Sequence, residues 1–285
     1  MADNNDNLPP LRDVISKHGL SAKKSFGQNF LLDLNLTGKI ARQVPKLENT
    51  NVLEVGPGPG GLSRALLSAG AKSLTVIEKD QRCAPILDEI AAAYPDRLNY
   101  HIGDALRLNL AEIMSGLDGD THICSNLPYN VGTALLVNWL SGENWPPFFT
   151  GLTLMFQKEV AERLVAKPNT KAYGRLTVLA NWRAKARILF DIPPSAFTPA
   201  PKITSSVVQI IPTEPCLAGL KMAVLEKLTE MAFGQRRKML RASLKSLNIS
   251  PEELAEIGLK GTERPEQLSV ESLCQLAMIY QNKLS

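Results

Sequence analysis

Apolar positions in this chain gather into short runs separated by amphipathic stretches. Runs at Val52–Val55, Leu74–Ile77, Leu98–Ile102, His122–Ser125 and Gly151–Gln157 are four to seven residues long, which predicts five strands. Between and after them, residues 61–69, 82–93, 132–140 and 158–166 read as helices. Such β-α alternation predicts a parallel sheet covered by helices on both faces. Two later β-rich stretches, Trp182–Phe190 and Ser205–Pro212, predict an antiparallel hairpin at the sheet edge. After Thr213-Glu214-Pro215 the β pattern stops, and residues 217–247 and 251–282 read as helical. At the other end, residues 1–10 read as a disordered tail. Residues 11–18 and 33–44 read as short helices around a basic loop, Ser21-Ala-Lys-Lys-Ser-Phe-Gly-Gln-Asn-Phe30. The expected organisation is a flexible N-terminal tail over 1–20, an α/β domain over 21–212 and a smaller all-helical domain over 213–285.

Composition adds limits. An apolar fraction of 44% is ordinary for a globular chain of 285 residues. The net charge of +4 says little about partners, but its distribution says more. Residues 221–247 hold seven Lys/Arg against two Glu, and residues 23–46 hold five against Asp33 alone. Four separated cysteines (83, 124, 216, 274) form no CxxC pair, so free thiols in a reducing cytosol are expected and no metal site. The start of the chain lacks a signal-peptide pattern, and no run of about 18 apolar residues would cross a membrane. A cytoplasmic location is therefore expected.

Two motifs carry the chemistry. Val52-Leu-Glu-Val-Gly-Pro-Gly-Pro-Gly-Gly61 places a glycine turn between a strand and a helix, with Gly56, Gly58 and Gly61 in G-x-G-x-x-G spacing. An ordinary tight turn and a dinucleotide site share that spacing. Pro57 and Pro59, however, remove two of the N–H donors a diphosphate uses. A phosphate-free nucleoside cofactor, S-adenosylmethionine (SAM), suits the turn better. Glu78 and Asp104 end the next two strands, where a carboxylate can accept from ribose hydroxyls and from an adenine amine respectively. The second motif is Asn126-Leu127-Pro128-Tyr129, at the end of the fourth strand. The exocyclic N6 of adenine is a poor nucleophile because its lone pair is delocalised into the ring. Acceptors on both N–H groups, the Asn126 side chain and a carbonyl at Leu127 or Pro128, would pull it toward tetrahedral geometry. Tyr129 could stack on the extruded base. A plain strand-end turn is the simpler alternative. The three histidines (18, 101, 122) adjoin none of these motifs, which fits a transfer driven by in-line placement without a general base.

With these motifs, Gln28-Asn-Phe-Leu31, Glu78-Lys-Asp80, Gly103-Asp-Ala105, Gln157-Lys-Glu-Val-Ala-Glu-Arg163, Phe197-x-Pro-x-Pro-Lys202-Ile-x-Ser205 and Phe233-Gly-Gln-Arg-Arg-Lys-Met-Leu-Arg241, the chain closely resembles the bacterial 16S ribosomal RNA adenine-N6,N6-dimethyltransferases over residues 20–282. The resemblance implies a Rossmann-like methyltransferase sheet and a SAM site at Asn29, Leu31, Gly56, Glu78, Asp104 and Asn126, with Gly58 in the same turn. It implies that Tyr129 and Phe197 flank the target base. Its substrate would be two adjacent adenosines in the 3'-terminal hairpin loop of 16S rRNA, each dimethylated late in assembly of the 30S subunit. Phe197, in a stiff proline loop, could offer an aromatic face at low entropy cost or could be an apolar plug. Arg236, Arg237, Lys238 and Arg241 cluster without an acid among them and favour phosphate contact over a solvated helix face. Lys23, Lys24 and Lys202 would extend that basic surface. A monomer is expected, with no DNA or membrane partner. The alternatives are a macrolide-resistance type 23S rRNA adenine methyltransferase, and an assembly checkpoint factor whose catalysis is secondary.

Overall fold

The computed structural model describes residues 7–23, 27–142 and 144–284. Its strands are β1 (Phe30–Leu31), β2 (Asn51–Val55), β3 (Ser73–Glu78), β4 (Leu98–Ile102), β5 (Thr121–Ser125), β6 (Gly151–Gln157), β7 (Ala184–Ile192), β8 (Phe197–Thr198) and β9 (Ser205–Pro212). Its helices are α1 (Leu11–Lys17), α2 (Leu34–Ala41), α3 (Gly61–Ser68), α4 (Ala84–Ala93), α5 (Leu110–Met114), α6 (Gly132–Ser141), α7 (Lys158–Leu164), α8 (Arg175–Asn181), α9 (Met222–Gly234), α10 (Leu240–Ser243), α11 (Pro251–Glu256) and α12 (Val270–Asn282).

Seven strands form one sheet in the order β4-β3-β2-β5-β6-β9-β7. The pairs β4–β3, β3–β2, β2–β5 and β5–β6 are parallel, and β6–β9 is antiparallel. The expected α/β sheet is present. Inner strands such as β2 and β5 are buried at every position, as a sheet covered on both faces demands. Edge strands β4 and β7 are mostly exposed or half-buried, with only Leu98 of β4 and Ala184 and Ile192 of β7 buried. The chain runs outward from β2 to β4, then crosses back to β5. The order therefore reverses between β2 and β5, the place where open α/β sheets take ligands at their carboxyl ends. The Ser125 hydroxyl accepts from the Val55 N–H at 2.8 Å there, inside the protein.

Short pairings that periodicity does not announce complete the picture. β1 pairs antiparallel with β8, Phe30 opposite Thr198 and Leu31 opposite Phe197. The predicted hairpin is modified: β9 lies between β6 and β7, so only β7 is at the edge. From residue 7 onward the N-terminal segment is not a free tail. Leu11, Val14 and Leu20 are buried, and the buried Arg64 guanidinium donates to the Pro9 carbonyl at 2.7 Å. Residues 1–6, in the expected tail, lie outside the described residues.

The chain divides into two compact units. One runs up to Asn138 and adds Pro147–Lys158 and Ile188–Ile211. The other combines Trp139–Pro146, Glu159–Arg187 and Pro212–Ser285. The second unit thus draws in stretches expected to belong to the α/β domain, because α8 packs on α9 and α12 within it. Its basic stretch is not one helix. α9 ends at Gly234, and residues 235–238 form a turn before α10. Also in this unit, the sulfurs of Cys216 and Cys274 approach to 2.9 Å as free thiols, a pairing across 58 residues that spacing does not suggest. Among the described residues no group of His, Cys, Asp or Glu is arranged to hold a metal, and no helix is long and apolar enough to cross a membrane.

Candidate active site

A cleft of about 1060 Å³, measured with its open mouth, sits at the carboxyl ends of β2, β3, β4 and β5 in the first unit. Its wall includes Asn29, Leu31, Gly56, Gly58, Glu78, Asp104, Asn126, Leu127, Pro128 and Tyr129, so ten of the residues singled out from the sequence converge. Gly58 has φ +55°, and a Cβ there would stand 2.9 Å from the Phe30 ring. Gly60 has φ +81°, and a Cβ there would strike Ile90 at 2.3 Å. Glycine is therefore dictated by conformation and by the close approach of the flanking segments.

The main-chain donors of this turn are already engaged. The N–H of Gly56 bonds to the Ile77 carbonyl at 2.9 Å, and that of Gly60 to the Pro57 carbonyl at 3.0 Å. The N–H of Gly58 bonds to Glu78 Oε2 at 3.1 Å, while Pro57 and Pro59 have none. A diphosphate would find no free donor across residues 56–60. The cleft instead offers acceptors. Glu78 is buried, and its other oxygen accepts the Asp80 N–H at 2.7 Å. Burial, the largest influence, raises its pKa against these backbone bonds. At the next strand end Asp104 accepts from Lys79 Nζ at 2.9 Å and from the Leu106 N–H at 3.1 Å. The Lys79 bond, first of the causes, lowers its pKa. A ligand rich in hydroxyl and amine donors fits this set, and a polyphosphate does not.

Asn126 is fixed from one side. Its Nδ2 donates to the Asn29 carbonyl at 3.0 Å, which leaves Oδ1 as the acceptor. The Pro128 carbonyl already accepts from the Val131 and Gly132 N–H groups, at 3.1 and 3.0 Å. Two bonds use both its lone pairs, so of the two candidate carbonyls Leu127 is the one available. The half-buried Tyr129 is held by a 2.5 Å hydrogen bond between its hydroxyl and Ser205 Oγ.

Glu54, in the glycine motif, also stands in the wall, although the sequence reading assigned it no chemistry. Glu54 is 1% exposed, accepts from Ser63 Oγ at 2.5 Å, and has its pKa pushed up to about 8, mainly by burial. A carboxylate inside the otherwise apolar Val52–Val55 run is the signal that could have found it. Other expected residues lie elsewhere. Phe197 does not line the cleft. Its pairing with Leu31 turns it into the hydrophobic core, where it is 3% exposed. Lys23 and Lys202 are exposed in the first unit, and Lys24 lies outside the described residues. Arg237, Lys238 and Arg241 are exposed in the second unit. Arg236 is engaged internally. It pairs with Glu266 and donates to the Lys171 and Thr170 carbonyls at 2.9 and 3.0 Å.

Residues 19–282 match the ribosomal RNA adenine dimethylase family. The chain belongs to that family. Ribosomal RNA small subunit methyltransferase A of Azorhizobium caulinodans is 58% identical over 274 residues, spanning 95% of this chain and 93% of the relative. Its namesake in Chelativorans sp. is 58% identical over 273 residues, spanning 95% and 98%. Among solved structures the fold is similar to that of a dimethyladenosine transferase from Plasmodium falciparum, with TM-score 0.72 and 24% identity over 88% of this chain and 97% of that one. It is also similar to 23S rRNA methyltransferase ErmE, with TM-score 0.64 and 24% identity over 89% and 100%. The last two are likenesses of fold. The cleft of this dimethylase family member is thus formed by the same glycine and Asn-Leu-Pro-Tyr motifs that carried the resemblance.

Proposed function

We propose that this chain is a SAM-dependent methyltransferase that dimethylates N6 of two adjacent adenosines in the 3'-terminal hairpin loop of 16S rRNA. It would act as a cytoplasmic monomer on the immature 30S subunit. Membership of the dimethylase family supports the reaction class. The names of relatives at 57–58% identity favour the small subunit over the 23S alternative, which has a fold-level likeness behind it.

The observation that carries the mechanism is the oriented amide of Asn126. With Nδ2 committed to Asn29, Oδ1 accepts one N6–H, and the Leu127 carbonyl accepts the other. Two acceptors outside the ring plane withdraw the N6 lone pair from conjugation and aim it into the cleft. The Tyr129 ring, tethered by Ser205, stacks on the base and limits its tilt. Glu78 would hold the ribose of SAM and Asp104 its adenine amine, with Asn29, Leu31, Gly56 and Gly58 lining the same site. When bound, SAM supplies a methyl group on a sulfonium, an electrophile strong enough that N6 needs no prior deprotonation. The protein's contribution is then placement, an effect that can lower a barrier by several kcal/mol, up to about 7–11. No histidine lines the cleft: His122 is buried against Thr153, and His18 pairs with Glu89. Lys23, Lys202, Arg237, Lys238 and Arg241 are the exposed cations offered to rRNA phosphates, with Lys24 beside them in sequence.

Asn126→Ala tests the reading. Single-turnover methyl transfer should be lost while SAM binding, measured by calorimetry, remains detectable. Wild-type turnover at saturating SAM would mean that N6 is activated elsewhere.

A further inference from the structure

We propose that Gln28 and Asp80 are positioning residues that fix the Asn126 amide through the main-chain carbonyl of Asn29. The inference rests on the reading of Asn126 Oδ1 as an N6 acceptor.

The Asn29 carbonyl receives Asn126 Nδ2 at 3.0 Å, so its location decides which end of the amide faces the base. Asn29 lies between two anchors. On one side Phe30 and Leu31 pair with β8. On the other, Gln28 Nε2 donates to Asp80 Oδ2 at 3.2 Å, and Gln28 Oε1 accepts the Lys23 N–H at 2.9 Å. Gln28 stands in the cleft wall, whereas Asp80 is 4% exposed and does not line the cleft, so the influence of Asp80 on a ligand has to be indirect and its variant is the one that isolates positioning.

The surroundings of Asp80 exceed what a turn needs. Capping the turn at Gln81–Cys83 takes one oxygen, Oδ1, which accepts the Arg82 N–H at 3.2 Å. Oδ2 instead reaches Gln28, 52 residues away in sequence. Arg82 holds the carboxylate in place, with Nε on Oδ1 at 2.9 Å and Nη2 on Oδ2 at 2.6 Å, and also donates to the Ser21 carbonyl at 3.3 Å. Ser21 and Gln28, on the N-terminal side of Asn29, are thereby both tied to the turn after β3. The Asp80 N–H, in turn, donates to Glu78. Arg82, the largest influence, lowers the Asp80 pKa and keeps it an acceptor.

If Gln28 loses Asp80, the N-terminal side of Asn29 loses its direct side-chain tie to the turn after β3 and keeps the weaker hold of Gln28 on the Lys23 N–H and of Arg82 on the Ser21 carbonyl. The Asn126 amide can then turn over and present Nδ2 to N6–H, donor against donor. Methyl transfer should suffer more than cofactor affinity, because Glu78 and Asp104 do not depend on this carbonyl.

The test uses the full chain with Gln28→Ala, Gln28→Glu, Asp80→Asn and the double change Gln28→Glu/Asp80→Asn, with Asn126→Ala as benchmark. Gln28→Glu sets two carboxylates against each other, whereas in the double variant the amide introduced at position 80 can donate to the carboxylate introduced at position 28. Single-turnover transfer at saturating SAM should fall about ten- to a hundredfold in each single variant, the scale of a misplacement of about 1 Å. SAM affinity by calorimetry should stay within about threefold, and the double variant should recover most of the rate, a coupling that independent structural damage does not produce. In the cofactor-free protein, amide exchange at Phe30 and Leu31 should be faster in Gln28→Ala. Wild-type rates in the Gln28 variants, losses that add in the double variant, or a loss of SAM affinity with normal transfer would each overturn the proposal. If Asn126→Ala is dead while the Gln28 and Asp80 variants are normal, positioning alone fails. If Asn126→Ala is itself normal, the acceptor assignment fails.

Discussion

Replacing Glu54 with glutamine should make the protein less sensitive to alkali. Burial raises this carboxyl from an ordinary 4.5 to about 8, so the folded state favours its neutral form. Between those values the folded protein holds a proton that the unfolded chain has released. The stability this contributes is fully present below about pH 4.5 and is lost as pH rises through 8. At about 1.4 kcal/mol per pH unit, the loss from pH 5 to 8.5 is about 4 kcal/mol. Glutamine matches the neutral acid in shape and keeps an acceptor for Ser63 Oγ. The variant should nearly equal wild type near pH 5, exceed it by a margin that grows between pH 5 and 8, and keep a constant margin above that. Urea unfolding of cofactor-free protein across pH 5–9, with slopes compared to confirm the same exposed surface, measures the difference directly. Subtracting the two curves removes the titrating groups that do not interact with Glu54; Glu78, whose charge adds to the rise at Glu54, stays in the difference as a smaller contribution. A difference that stays flat with pH, or favours wild type in alkali, would refute the reasoning.

Glu78→Ala removes the acceptor of two backbone N–H groups as well as the proposed ribose contact. At about 1.5–3 kcal/mol for bonds to a charged group, SAM affinity by calorimetry should drop about ten- to a hundredfold; unchanged affinity would remove Glu78 from the site. Tyr129→Ala should leave SAM affinity nearly intact and release N6-monomethyladenosine, whereas Phe197→Ala should mainly cost stability, about 3–5 kcal/mol for a buried ring. A wild-type melting temperature in Phe197→Ala with accumulated monomethyl product would place that ring on the base instead. Alanine at Arg237, Lys238 and Arg241 should flatten the salt dependence of subunit binding by about 0.7–0.9 per lost phosphate contact in log–log slope. Arg236→Ala should instead lower the melting temperature through its bonds to Glu266, Thr170 and Lys171, and an unchanged melt would show those bonds to be dispensable.

The sheet and the cleft were legible because each strand end carries a residue out of character with its strand: glycines after β2, Glu78 on β3, Asp104 after β4 and Asn126 after β5. Pairings distant in sequence were not. β1 and β8 are two residues each, too short for any period, yet they decide that Phe197 points into the core. Proline stiffness around Phe197 said the loop was rigid without saying which way the ring faced. The basic stretch read as a helix because its composition permits one, while Gly234 ends α9 before the cluster at Arg236–Arg241 begins. That Arg236 pairs internally depends on Glu266, 30 residues later, which no local pattern reveals. The segments at 139–146 and 159–187 joined the second unit for the same reason: α8 packs on α9 and α12, and Gly142 and Trp145 bond to Arg183 and Thr213, partners that lie far along the chain.

The most direct test of the whole account is methyl transfer to purified 30S and 50S subunits from cells lacking the two modifications, read by mass spectrometry of digested rRNA. The account predicts N6,N6-dimethyladenosine at two adjacent positions of the last 16S hairpin loop, dependent on added SAM and absent from 50S. Methylation of 23S rRNA, or monomethyl product alone from the wild-type protein, would contradict it.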